Sequence, residues 1–172
     1  MSAHVSLFLC RLLPPSQHPD ISSCMSDLPT ILITDDDDGH AYLIEDNLRQ
    51  AGVNAPFLRF CDGQEILDFL SGKTKEPHFE RDQPYLLLLD IRMPKVDGVA
   101  VLKQIKAHPD LHKLPVIILT TTEDPREVDR CHDLGCNVYM HKPVSFENFA
   151  AAITKLGTFV SLLQLPRFTH KS

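Results

Sequence analysis

Tyr85-Leu-Leu-Leu-Leu-Asp-Ile-Arg-Met-Pro-Lys-Val-Asp-Gly98 carries the pattern from which the rest of the chain can be read. Its opening apolar run has no polar face, which suits a parallel strand covered by helices on both sides and not a strand with one face in water. Asp90 follows at once, so a carboxylate stands at the strand's carboxyl end. Val116-Ile-Ile-Leu119 has the same two-sided apolar character, and Ile31-Leu-Ile33, Phe57-Leu-Arg-Phe60 and Asn137-Val-Tyr-Met140 complete the strand candidates. Amphipathic stretches separate them. Ala41, Ile44, Leu48 and Ala51 share one helical face closed by Gly52, and Asp62-Gly-Gln-Glu65 has the form of a capping box ahead of Ile66, Leu67, Phe69 and Leu70. Val101, Leu102 and Ile105 supply a third helix. Asp124-Pro125-Arg126-Glu127 offers an N-cap, a proline in the first turn and an acid for a fourth. Ser145 caps a fifth, in which Phe146, Phe149, Ile153, Leu156, Val160 and Leu163 recur three and four residues apart. Five strand–helix units of this kind predict an α/β fold around a parallel sheet.

Outside these units the chain changes character. Residues 1–27 contain Pro14, Pro15, Pro19 and a serine-rich patch without periodicity, and read as a disordered leader that need not be native, with Met25 as an alternative start. The apolar stretch Val5–Leu13 is short, is broken by Arg11, lacks a preceding basic residue and is followed by Pro14-Pro15, which argues against a secretory signal. No apolar run approaches the ~20 residues that span a bilayer. The 172 residues suffice for one well-buried core and are few for two domains. A formal charge of −6 with no basic face speaks against nucleic-acid binding. The cysteines Cys10, Cys24, Cys61, Cys131 and Cys136 are odd in number and show no zinc spacing, as expected of reduced thiols in a cytoplasmic protein. His108 and His112 are separated by Pro109 and read, with His132 and His141, as surface or helix-end residues; Met93 reads as packing.

Asp35-Asp36-Asp37-Asp38 follows the first strand as Asp90 follows the third, so carboxylates from neighbouring strand ends should converge in one crevice. In open sheets of this kind that crevice, where strand order reverses, is already known as the ligand site. Clustered carboxylates repel one another unless a cation sits among them. Mg2+ meets the need with oxygen ligands, and Asp35 or Asp36, Asp90 and a backbone carbonyl near Arg92 could supply the protein's share. Capping of the first helix alone would account for Asp37 and Asp38. Thr120 and Lys142-Pro143 end the fourth and fifth strands. With Asp90 they provide a nucleophilic oxygen, a hydroxyl donor and a fixed cation, which phosphoryl transfer requires.

Four segments, Ile-Leu-Ile-Thr-Asp35-Asp36, Leu-Leu-Leu-Leu-Asp90-Ile-Arg-Met-Pro94-Lys-Val-Asp97-Gly98, Leu-Pro-Val-Ile-Ile-Leu-Thr120-Thr and Asn-Val-Tyr139-Met-His-Lys142-Pro143, resemble the receiver domain of two-component response regulators (CheY-like) in order and spacing. The resemblance implies a flavodoxin-like (βα)5 three-layer sandwich, strand order 2-1-3-4-5, with a receiver over 28–160. It implies that Asp90 is the phosphoacceptor and that Asp35, Asp36, Asp90 and the Arg92 carbonyl hold Mg2+, with Mn2+ as an alternative. Thr120 and Lys142 would bind phosphoryl oxygens, and Thr120 with Tyr139 would form the switch for the face of the fourth helix, fifth strand and fifth helix. Such a protein is a phosphoacceptor with at most slow autodephosphorylation, not a turnover enzyme.

The long loop Lys73–Pro84 and the apolar tail are similar to the small response regulators paired with phytochrome histidine kinases, which implies a sensor kinase of that kind as partner. Residues 161–172 are expected to form a C-terminal tail whose Leu162, Leu163 and Leu165 extend the seam of the fifth helix beyond Phe159. Such a surplus of apolar surface predicts a homodimer, besides an unidentified downstream protein. The aspartate run departs from the family pattern at Asp37 and Asp38, and Arg92 is an unusual neighbour that could reach the phosphate or pair with either of them. Two other readings compete: a receiver-like adaptor whose acidic pocket repels phosphate, and a phosphohydrolase, which would want an acid where Arg92 stands.

Overall fold

The computed structural model describes residues 29–163 together with 165 and 166. The expected leader, with Met25, and residues 164 and 167–172 of the expected tail lie outside the described residues. The elements alternate as β1 (Thr30–Thr34), α1 (Asp38–Gln50), β2 (Phe57–Phe60), α2 (Gly63–Leu70), β3 (Tyr85–Leu89), α3 (Gly98–Ala107), a 3-10 turn (Leu111–Lys113), β4 (Val116–Thr120), α4 (Pro125–Asp133), β5 (Val138–His141) and α5 (Phe146–Val160). All strand pairings are parallel and the sheet order is β2-β1-β3-β4-β5. This is the parallel α/β sheet expected from the strand and helix patterns, in the flavodoxin-like three-layer form that the family resemblance implies.

Alternation along the buried strands divides the core in two. Leu32, Leu87, Leu89, Val116 and Ile118 face one layer with Ile66, Phe69, Val101, Leu102 and Ile105. Ile31, Ile33, Leu86, Leu88, Ile117 and Leu119 face the other with Ile44, Leu48, Phe149, Ile153 and Leu156. Full burial of each such side chain contributes roughly 1.5–3 kcal/mol, before the conformational entropy it opposes. The second layer needs α1 and α5 close together. A Cβ on Gly157 would stand 2.6 Å from the Ala51 Cβ, so the glycine permits that approach.

Local details refine the expectations from the sequence. Asp62 caps α2 through the N–H groups of Gln64 and Glu65, but Glu65 returns its carboxylate to Cys61 N–H, one residue before the cap. The strand expected at Asn137–Met140 runs Val138–His141 instead. Asn137 is drawn off as a bracket, its side chain accepting from Val116 N–H at 2.9 Å and its own N–H donating to the Val116 carbonyl at 2.8 Å. The long loop 73–84 reaches the core: Phe79 stacks on Tyr85, centroids 5.0 Å apart, and packs against the first core layer. Among the described residues no helix is long and apolar enough to cross a membrane. Cys61, Cys131 and Cys136 are free thiols.

Candidate functional site

Register builds the site. Thr34 pairs with Leu89, so the residues that follow them, Asp35 and Asp90, emerge side by side, and Asp90 N–H donates to the Thr34 carbonyl at 2.9 Å. Asp36 continues the turn after β1. One oxygen from each of Asp35, Asp36 and Asp90 lies within 4.8 Å of the others. Asp35 and Asp90 are buried while Asp36 is exposed, which gives the cluster a floor and an open edge.

Lys142 enters from the end of β5, where its N–H bonds the Thr120 carbonyl at 2.7 Å. Its ammonium, buried at 3% exposure, lies 2.6 Å from Asp35 Oδ2 and 3.3 Å from Asp90 Oδ2. Burial pushes the Asp35 carboxyl above its ordinary value, although the charge and hydrogen bond of Lys142 oppose this; the neighbouring Asp90 adds to the rise. One ammonium thus stands against a cluster of three carboxylates. The donor set is all oxygen, hard and partly open, which fits a divalent cation such as Mg2+ or Mn2+.

The loop from β3 to α3 fixes Asp90. Its Oδ1 accepts from Ile91 N–H at 2.8 Å, leaving Oδ2 toward Lys142. Gly98 N–H bonds the Ile91 carbonyl at 3.0 Å, folding the loop back on itself, and a Cβ at Gly98 would fall 2.1 Å from the Asp90 carbonyl oxygen. Lys95 takes a left-handed backbone conformation, φ 62°, and its ammonium pairs with the buried carboxylate of Asp62. Burial works against that carboxylate, but bonds from Lys95, Glu65 N–H and Gln64 N–H outweigh it and hold Asp62 below its ordinary pKa.

Thr120 is fully buried and its Oγ1 accepts from Thr122 N–H at 3.4 Å. Tyr139 donates its hydroxyl to the Thr122 carbonyl at 3.2 Å; burial first, and the nearby Glu127 carboxylate second, push its phenol up to about 12. Asp35, Asp36, Asp90 and Lys142 are thus brought together, with Thr120 at the end of the adjacent strand β4 and Tyr139 on the edge strand β5 beyond it. Asp37 caps α1 through His40 N–H at 3.0 Å and Asp38 lies in its first turn, as the capping reading held.

Arg92 departs from expectation. Its guanidinium pairs with neither Asp37 nor Asp38. Nη2 donates to Thr122 Oγ1 at 2.9 Å and stands 3.3 Å from Glu127 Oε2, because the loop runs beside the start of α4 and away from α1. Thr122, Glu127, Lys95 and His40, whose Nδ1 is 3.9 Å from Asp35, were not singled out from the sequence for these contacts. The signal was available only for Glu127, as an acid in a helix's first turn, and it pointed to capping.

Known proteins share this fold. The family described as the response regulator receiver domain matches residues 31–154. A receiver-domain structure from Rhodospirillum rubrum is 47% identical, with a TM-score of 0.77, covering 82% of this chain and 99% of that one. The Mn2+-bound form of response regulator Rcp1, a protein of Synechocystis, is 26% identical with a TM-score of 0.72, covering 80% and 99%. The phosphorylated cyanobacterial phytochrome response regulator RcpA is 27% identical with a TM-score of 0.73, covering 80% and 98%. With strand-end carboxylates, a buried lysine and the family match in agreement, this chain belongs to the response regulator receiver-domain family.

Proposed function

We propose that the chain is a response regulator whose Asp90 accepts a phosphoryl group from a phosphohistidine of a sensor histidine kinase. The observation that carries this reading is Lys142 Nζ held between the buried carboxylates of Asp35 and Asp90, with Asp36 closing the cluster. Asp90 Oδ2 attacks phosphorus, the P–N bond of the donor breaks, and its electron pair returns to the imidazole nitrogen. Lys142 and the Thr120 hydroxyl stabilise the charge that gathers on the phosphoryl oxygens. Asp35, Asp36, Asp90 and the Arg92 carbonyl would hold Mg2+, or Mn2+, which neutralises those oxygens when bound. New hydrogen bonds at Thr120 then bias the packing of Tyr139 and the face formed by α4, β5 and α5, where a downstream protein binds. In this reading the receiver spans 28–160, the protein is cytoplasmic, and hydrolysis of the acyl phosphate is at most slow.

The similarity to RcpA supports a phytochrome kinase as donor. Phe159 and Leu162 on α5 and just after it are 47% and 79% exposed, which supports a homodimer through this edge. Leu163 and Leu165, in contrast, pack against the second core layer of their own chain, so the dimer surface is smaller than the apolar tail suggested. Transfer from a purified, autophosphorylated phytochrome histidine kinase in Mg2+ tests the partner. Label is expected to leave the kinase and appear on this chain, and to stay on the kinase when Asp90→Asn replaces it. Label retained by that kinase but released by an unrelated one would contradict the phytochrome link alone.

A further inference from the structure

Between the β3–α3 loop and α4, Arg92, Thr122, Glu127 and Tyr139 form one connected cluster. Thr122 stands at its centre: its hydroxyl accepts from Arg92, its carbonyl from Tyr139, and its N–H bonds Thr120 Oγ1. Glu127, in the first turn of α4, is fixed by Arg92 through Oε2 only. Its Oε1 is buried without a hydrogen-bond partner. An unsatisfied buried carboxylate oxygen is costly, so this position depends on the one bond that Arg92 supplies. A cavity of about 590 Å3 beside the cluster, lined by Asp36, Arg92, Met93, Asp97, Glu127 and Arg130, leaves the Arg92 side chain room to turn toward the carboxylate site.

We propose that Arg92 is a positioning residue that couples the charge on Asp90 to α4: Thr122 and Glu127 hold it before phosphorylation, and the phosphoryl group draws it away and releases them. The inference rests on Asp90 being the phosphoacceptor, as proposed above. A phosphoryl group offers several anionic oxygens to a guanidinium only two residues along the chain, whereas Glu127 offers one. Once Arg92 leaves, neither oxygen of Glu127 has a partner and the carboxylate turns to water, loosening the first turn of α4. Thr122, freed on its side-chain face, can follow Thr120 and shift the acceptor of the Tyr139 hydroxyl.

Amide hydrogen exchange across Pro125–Asp133 of the full chain, with and without acetyl phosphate and Mg2+, tests the coupling. Exchange in the wild type is expected to quicken roughly two- to fivefold on phosphorylation, the scale of one partly exposed ion pair. Glu127→Gln and Arg92→Gln should exchange at the faster rate from the outset and gain nothing on phosphorylation. Arg92→Lys, which keeps the charge but not the fork of donors, should fall between. A merely structural bond would raise the starting rate yet leave the phosphorylation-dependent rise intact, and that result overturns the proposal. So does a starting rate in Glu127→Gln equal to wild type. Phosphate on Asp90 is read by mass in the same samples: its absence in the wild type overturns the phosphoacceptor reading and the coupling together, while its presence with an unresponsive α4 overturns the coupling alone.

Discussion

Lys142 is the residue on which the electrostatics of the site turn. It is buried, and its ammonium serves two carboxylates, Asp35 at 2.6 Å and Asp90 at 3.3 Å. Removing one partner of a buried ionic cluster leaves uncompensated charge, at a cost of about 3–5 kcal/mol. Lys142→Met is therefore expected to lower stability by several kcal/mol in urea unfolding with a chelator present, and millimolar Mg2+ should restore part of it. Unchanged stability without metal would mean that the carboxylates do not depend on this cation. The positions of Lys142, Asp35 and Asp90 could be foreseen because each stands immediately after a strand, and strand ends in a parallel sheet share one edge. The partners of Arg92 could not. Its bonds to Thr122 and Glu127 join the loop after β3 to the segment after β4, 30 residues on at Thr122, and no local pattern encodes the approach of α4 to that loop.

Among the elements, α2 shows how a helix start can serve the site. Asp62 caps it with two N–H bonds and also anchors Lys95, whose left-handed backbone shapes the loop after Asp90. Asp62→Ala removes both roles and is expected to cost about 1–2 kcal/mol, the upper range for an N-cap. The pH dependence has a defined sign. Because the folded carboxyl titrates below its ordinary value, the stability it contributes is complete above about pH 4 and is lost as the pH falls through the lower folded value. The difference between wild type and Asp62→Ala in denaturant unfolding should accordingly shrink from pH 6 toward about pH 3. A constant difference would assign the effect to capping by a neutral acceptor. The helix start itself was legible from Asp62 and Glu65, but the anchoring of Lys95 was not, since it spans two separate βα units.

At the scale of the whole molecule, the two-sided apolar strands foretold a sheet sandwiched between helices, and the two core layers bear this out. The tail was harder to read, because hydrophobicity alone does not say whether a side chain turns to its own core or outward. Leu163 and Leu165 turn inward, while Phe159 and Leu162 stay exposed. A dimer through that edge is expected to lose its concentration dependence in sedimentation when Leu162→Glu places a charge there. Equal sedimentation of the two proteins across the same range would remove the edge as an interface.

Intact-mass analysis of the protein after incubation with acetyl phosphate and Mg2+ reaches the central claim most directly. One phosphoryl group should add to the wild type, map to Asp90, be released by hydroxylamine as an acyl phosphate is, and be missing from Asp90→Asn and from samples with excess chelator. Phosphate found on another residue, or no phosphate with the metal in place, would contradict the account.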